Sequence, residues 1–288
     1  MSKKKPERPL PQSLGLPFAG ADSHAHLDHE GLRDDIAGML QRAAESGVSL
    51  IVHMFLQHSR YAANRQLILD AAASVENAPD ICFARGLHPE DVLDASEEEW
   101  EQLVHAVKTD PLIRAIGEIG LDWHYEEGYS PSELQRPWFR RQLKLAKELE
   151  KPIVIHSRDA WDEVFAMLDE EGLRDWPLLW HCFGGDIERA SQIVERGWHV
   201  AVGGASTFKA NGFVREAVKA IPLDRLHLET DCPYLAPMPW RGKTCEPALT
   251  VFTADCLARE LGMETAELWR ITGANTRRFF GMEKIRYV

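Results

Sequence analysis

Short apolar or β-branched runs alternate along the chain with longer segments whose apolar residues recur every three or four positions. The runs predict strands at Phe18–Asp22, Val48–Met54, Ile81–Gly86, Ile113–Glu118, Pro152–His156, Leu178–His181, His199–Gly203 and Arg225–Glu229. Helical periodicity falls between them, at Glu30–Ser46, Tyr61–Val75, Glu97–Val107, Glu133–Leu149, Trp161–Glu170, Ile187–Arg196 and Phe213–Ala220. Gly47, Gly172 and Gly197 stand where a left-handed cap would end three of these helices. Strict strand–helix alternation implies an α/β protein with a parallel sheet, and eight strands fit a closed (β/α)8 TIM barrel better than an open sheet. No Gly-rich dinucleotide fingerprint follows an early strand, which weakens the doubly wound rival. Two extra C-terminal helices, Thr250–Leu261 and Ala266–Phe280, are expected to pack outside and close the domain.

Composition narrows this picture. A chain of 288 residues with 44% hydrophobic content suits one large domain, and no apolar stretch has the length of a membrane span. The domain is expected over residues 18–288, after a short disordered arm over 1–17 that is basic and proline-rich at Met1–Pro11. No apolar run follows Lys3–Lys5, as a signal peptide would need. Five scattered cysteines (Cys82, Cys182, Cys232, Cys245, Cys256) without a Cys-x-x-Cys pair indicate neither a disulfide framework nor a thiolate zinc site. Reduced thiols and a cytoplasmic location are the expectation. The formal net charge of -12 opposes broad attraction to nucleic acid or an anionic membrane. Bound divalent ions would still let the protein hold a phosphate locally.

The chemistry gathers at strand ends. His24-Ala25-His26 closes the first strand, and side chains two apart on a strand share a face, so two imidazoles make half a metal site. Glu118, His156, His181 and Asp231 stand at the ends of strands four, five, six and eight. In a (β/α)8 barrel those ends open onto one face, so six side chains from five strands converge there. Imidazole and carboxylate without thiolate suit borderline or harder divalent ions. Each residue also has an ordinary role: His156 and His181 as satisfied core histidines, Glu118 as a turn cap, Asp231 as a cap or turn residue. Their joint placement favours a shared metal centre over five separate coincidences.

Asp22-Ser-His-Ala-His-Leu-Asp28, Gly117-Glu-Ile-Gly-Leu-Asp122, Ile155-His-Ser-Arg-Asp-Ala160, His181-Cys-Phe-Gly-Gly185 and Glu229-Thr-Asp-Cys-Pro-Tyr-Leu-Ala236 resemble the TatD-type metal-dependent deoxyribonucleases, an amidohydrolase-like TIM-barrel family. Gly86-Leu-His-Pro89, Arg241-Gly-Lys243, Glu246-Pro247 and Asn275-Thr276 extend the match, which runs from about Phe18 to Gly281. The resemblance implies a hydrolase that cleaves DNA phosphodiester bonds, on single strands or DNA ends, with two divalent metal ions (Mg2+, Zn2+ or Mn2+). It implies that His24, His26, Glu118 and Asp231 hold one ion and that Glu118, His156 and His181 hold the second, with Glu118 as the bridge. His88, Arg158, Arg241 and Lys243 match positions that would contact phosphate or base. Glu90, Gly184 and Cys245 depart from the family pattern without touching a proposed ligand, and bear on substrate preference.

Two ions roughly 3.5–4 Å apart can activate a water and stabilise both the attacking and leaving oxygens. Asp231 and Glu118 are the catalytic candidates: Glu118 as bridge, Asp231 either to orient the water and accept its proton or as a pure ligand. Trp123, His124 and Tyr125 follow the Glu118 motif and either stack on a base or, the favoured reading, pack on the barrel loop. The rival functions are an amidohydrolase-like esterase, lactonase or deaminase on a small substrate, and a non-catalytic metal-binding repair partner. Glu118 on strand four, where many of those enzymes bridge their metals with a modified lysine, lowers the first.

Overall fold

The computed structural model describes residues 8–55, 60–124 and 131–283. Eight parallel strands, β1 (Gly20–Ala25), β2 (Val48–Met54), β3 (Asp80–Ala84), β4 (Ile113–Asp122), β5 (Ile153–Arg158), β6 (Leu178–Trp180), β7 (His199–Val202) and β8 (Leu226–Leu228), lie side by side in chain order. Helices α1 (Ile36–Glu45), α2 (Tyr61–Ala73), α3 (Glu97–Thr109), α4 (Ser132–Glu148), α5 (Trp161–Glu170), α6 (Ile187–Glu195) and α7 (Gly212–Val218) each connect one strand to the next. The ring closes just past β8, where Ala25 pairs with Cys232 and the His26 amide donates to the Cys232 carbonyl at 3.1 Å. The expected (β/α)8 TIM barrel is the fold.

The strands read as continuous apolar runs because both of their faces are covered. Leu50, Val52, Met54, Cys82, Ala84, Ala115, Val154, Leu179 and Ala201 pack together inside the barrel. Their sequence neighbours Ile51, Phe83, Ile116, Ile153, Ile155, Trp180 and Val200 face the surrounding helices. After β8, α8 (Thr250–Leu261) and α9 (Thr265–Phe279) complete the domain. The last of these crosses the floor, adding Phe279 and Phe280 to the interior cluster. Glycine permits that approach: a Cβ on Gly273 would stand 2.0 Å from the Ala19 carbonyl oxygen. Arg277 on the same helix donates to the Ser49 carbonyl and to Asp80, at the starts of β2 and β3.

Several boundaries differ from the pattern-based reading. β1 extends through Ala25, β4 to Asp122 and β5 to Arg158. The ladder outlasts the apolar run there, with Gly120, Leu121 and Asp122 paired to His156, Ser157 and Arg158. α1 begins at Ile36, after a 3-10 turn at Arg33–Asp35, instead of at Glu30. The N-terminal arm, where described, lies against the barrel: Pro11 is buried in a 3-10 turn, Arg8 Nε donates to the Pro239 carbonyl at 2.9 Å and Trp240 Nε1 to the Pro9 carbonyl at 3.0 Å. Trp240, with an indole N–H that donates to the arm and a ring face under Arg8, supplies the dock that composition did not reveal. Among the described residues no helix is long and apolar enough to cross a membrane, and the five cysteines are free thiols.

At the floor, a histidine pair has its protons fixed by its partners. Thr276 Oγ1 donates to the Thr272 carbonyl and therefore accepts from His227 Nδ1, 3.0 Å away. His227 Nε2 must then accept from His199 Nδ1 at 2.9 Å. Burial, reinforced by the His199 charge, holds His227 well below its usual range, and burial with the Arg225 charge lowers His199 to about 4. Folded values below the unfolded value of about 6.5 mean that the unfolded chain takes up these protons first. The contribution is thus complete above about pH 6.5 and declines by about 1.4 kcal/mol per pH unit per histidine as pH falls towards 4. Denaturant midpoints measured at pH 7.5, 6 and 5 should fall more steeply for wild type than for His227→Asn, which keeps a donor towards Thr276 but does not titrate. Parallel curves would refute this assignment.

Candidate metal centre

At the mouth of the barrel, two irregularities in the ladder aim the key side chains. Asp22 and Ala25 pair with Ile51 and His53, so three steps on β1 match two on β2, and His24 lies in the extra length. Ile116 and Ile119 pair with Ile153 and Ile155, which puts Gly117 and Glu118 opposite Val154 alone. Such bulges turn a side chain out of the regular alternation. Gly117 is required there, because a Cβ would stand 2.6 Å from Val154 Cβ. Asp231 and Cys182 adopt left-handed backbone, with φ of 55° and 47°. Residues other than glycine seldom do so, and cluster at functional sites when they do. Asp22 staples the arrangement by accepting from the amide and hydroxyl of Thr230 at 2.9 and 2.5 Å, and burial pushes its carboxyl up to about 8.

The result is one buried carboxylate faced by five imidazoles. Glu118 Oε1 lies 2.6 Å from His156 Nδ1, 2.6 Å from His181 Nε2 and 3.6 Å from His88 Nε2. Its other oxygen, Oε2, lies 3.1 Å from His24 Nε2 and 3.9 Å from His26 Nε2. Asp231 Oδ1 joins on that side, 3.3 Å from His26 Nε2 and 3.8 Å from His24 Nε2. Asp231 is 16% exposed against 7% for Glu118, which makes it the more water-accessible of the two carboxylates. His24, His26, Glu118, His156, His181 and Asp231 are therefore together, as the strand ends foretold. His88, expected as a substrate contact, belongs to the same donor cluster.

The donor chemistry fits divalent cations. His26 Nδ1 donates to the Met54 carbonyl at 3.1 Å, leaving the Nε2 lone pair aimed at the cluster. His156 Nε2 donates to Asp122 at 2.9 Å, so the lone pair of its Nδ1 meets the Glu118 carboxylate at 2.6 Å. Two lone pairs at that distance require a proton or a cation between them. Without a cation, protons take that place. Burial alone would neutralise these groups, yet the Glu118 and Glu229 charges hold His181 well above its usual range. Hydrogen bonds to Asp122 and Glu118 outweigh burial and raise His156 to about 8. Burial opposes ionisation of Glu118 too, but the charges of His181, His24 and His88 keep it well below the carboxylate range.

Two carboxylates here escaped the strand-end argument. Asp122 orients His156, and Glu229, fully buried, accepts from the Cys182 amide at 2.6 Å and lies 3.6 Å from His181 Nδ1. The available signal was proximity in sequence: Asp122 follows Glu118 by four and Glu229 precedes Asp231 by two. Arg158 ends β5 at the surface, and its charge acts on Asp122 and Cys182 beside the cluster. Arg241 covers the Phe208 ring at 4.3 Å, and Lys243 is exposed on the same loop. Among the described residues, neither forms a hydrogen bond or ion pair with a donor side chain. Trp123 packs against the core with Arg136 over its ring at 5.2 Å, which supports packing over base stacking. His124 pairs with Asp159 at 2.8 Å, and Tyr125 lies outside the described residues.

Comparison with known proteins agrees with this geometry. The family model described as "TatD related DNase" matches residues 21–281. The "Uncharacterized metal-dependent hydrolase YabD" of Bacillus subtilis (strain 168) is 37% identical over 90% of this chain and 98% of its own length. The "Uncharacterized metal-dependent hydrolase TatD" of Mycobacterium tuberculosis is 33% identical over 92% of this chain and 99% of its own. The crystal structure of YjjV, a TatD homologue from Escherichia coli K12, superposes with a TM-score of 0.80 at 28% identity, covering 91% of this chain and 98% of that one. A barrel whose mouth carries this donor set, matched along its length by such relatives, belongs to the TatD family of metal-dependent hydrolases.

Proposed function

We propose that the chain hydrolyses DNA phosphodiester bonds at a two-metal centre, on single strands or DNA ends. The observation that carries this reading is the division of Glu118: Oε2 faces His24 and His26, and Oε1 faces His156, His181 and His88. A carboxylate with a separate donor set on each oxygen is built to bridge. His24, His26, Glu118 and Asp231 would hold one ion, and Glu118, His156 and His181 the other, with His88 within reach of the second. Bound there, two divalent ions supply an activated water and charge for the attacking and leaving oxygens.

The chain's own side chains do the rest. Asp231, the more water-accessible of the two carboxylates, orients the water and accepts its proton. Asp122 holds the His156 ring in register. Arg158 supplies positive charge for a phosphate at the rim, and Arg241 and Lys243 stand on the loop after β8 to follow the strand. So few cations predict a shallow salt dependence, since binding weakens by roughly 0.7 to 0.9 log units per neutralised phosphate for each log unit of salt.

The test sets single-stranded DNA, duplex DNA, RNA and a panel of small esters before one metal-loaded preparation, with salt varied. DNA cleavage that requires the metal and declines gently with salt is expected. Ester turnover with every nucleic acid left intact would replace this reading with a small-molecule hydrolase.

A further inference from the structure

Two arginines are buried among the described residues, and they differ in one respect. Arg277 is neutralised by Asp80 at 2.9 Å. Arg85, 2% exposed, has no acid partner. It follows β3 directly, and its side chain leaves the barrel outward between α2 and α3. The guanidinium carbon lies 4.0 Å over the Tyr61 ring. Nη1 is 3.5 Å from the Gln102 carbonyl, at the limit of a hydrogen bond, and Nε has no hydrogen-bond partner among the described residues. The carboxylate nearby is already engaged, since Asp110 accepts from both Tyr61 and Arg65. A buried cation left without a counter-charge is costly, and burial lowers Arg85 to about 10.

A cavity of about 520 Å³ opens onto this side chain, a size suited to a small molecule. Its walls combine Arg85 and Tyr61 with Glu98, Glu101, Gln102 and His105 from the outer face of α3. The charges are segregated: the cation is buried against Tyr61, while both glutamates are exposed. A polyanion would be repelled by Glu98 and Glu101, and a polyamine by Arg85. A molecule with a carboxylate at one end and an ammonium at the other complements both.

We propose that this cavity binds a small zwitterion, its carboxylate paired with the Arg85 guanidinium and its ammonium turned towards Glu98 and Glu101. Guanidinium groups bind carboxylates through charge-assisted hydrogen bonds, and Arg85 lines the cavity with no carboxylate of its own among the described residues. The site is separate from the metal centre and does not depend on the reaction performed there.

Isothermal titration of the full chain with a series of ω-amino acids, from glycine to 6-aminohexanoate, tests this, with acetate, butylamine and inorganic phosphate as controls. Saturable binding is expected to peak at one chain length, with acetate weaker and butylamine absent. Arg85→Met should weaken that binding by at least about tenfold, the cost of one charged hydrogen bond. Its own melting midpoint should hold or rise, because an uncompensated buried charge has gone. The Glu98→Gln/Glu101→Gln double variant should weaken the amino acid while leaving acetate unchanged. Absence of saturable binding up to ~10 mM, tenfold above a weak Kd of about 1 mM, would overturn the proposal. So would phosphate binding more tightly than every zwitterion, or unchanged affinity in the double variant. If Arg85→Met fails to fold, the wild-type series and the double variant decide.

Discussion

On the proposed two-metal reading, Glu118→Ala should strip the protein of both ions and lower turnover by well over a hundredfold. Changes to residues that merely support a ligand typically cost 10- to 100-fold, so roughly a hundredfold is a floor for the loss of a bridge. Glu118 is the one carboxylate that faces all five imidazoles, and its removal deprives both donor groups at once. Elemental analysis of the purified variant should show metal content falling towards zero. A variant that lost only one equivalent would assign Glu118 to a single ion. One that kept full metal and full activity would remove the bridge from the mechanism. His88→Ala provides the graded comparison: His88 approaches only Oε1, so its loss should weaken one ion and spare the other.

Asp231→Asn carries the second large effect, a fall in kcat of about 10²- to 10⁴-fold, the usual contribution of a positioned general base. Asparagine preserves the shape and one oxygen but cannot accept the proton. If Asp231 is the base, the defect persists at saturating metal with KM little changed. If it is only a ligand, added metal restores the rate. The reading of kcat against metal concentration separates the two, and restoration to the wild-type rate would end the proton-acceptor assignment.

The metal centre was legible where an apolar run stops at a metal-competent side chain, as at His156 and His181. A buried strand announces itself by hydrophobicity, and the first polar residue past it must be either solvated or functional. Asp122 was less visible because the β4 ladder continues beyond the apolar run, so a carboxylate inside a strand resembles a turn residue. The place of His88 in the donor cluster was hidden for a related reason: it follows β3 by four residues, and only the folded loop brings it within 3.2 Å of His156. The bulges at His24 and Glu118 could not be read at all. They shift strand register, and register is invisible where both faces of a strand are buried and no alternation marks it.

The path of α9 bears on the order in which the molecule can be completed. The donor atoms come from positions as far apart as His24 and Asp231, and the Asp231 amide is tied to the His24 carbonyl at 2.9 Å. The strand that carries His24 also rests on the last helix, with Trp269 packed where a Cβ on Gly20 would stand and with Phe279 and Phe280 plugging the floor. During synthesis the first strand must therefore wait for the last helix, over most of the chain's length. Such long-range closure is slow, so the nascent barrel spends its emergence with His24 and His26 in hand and the rest of the donor cluster not yet assembled around them.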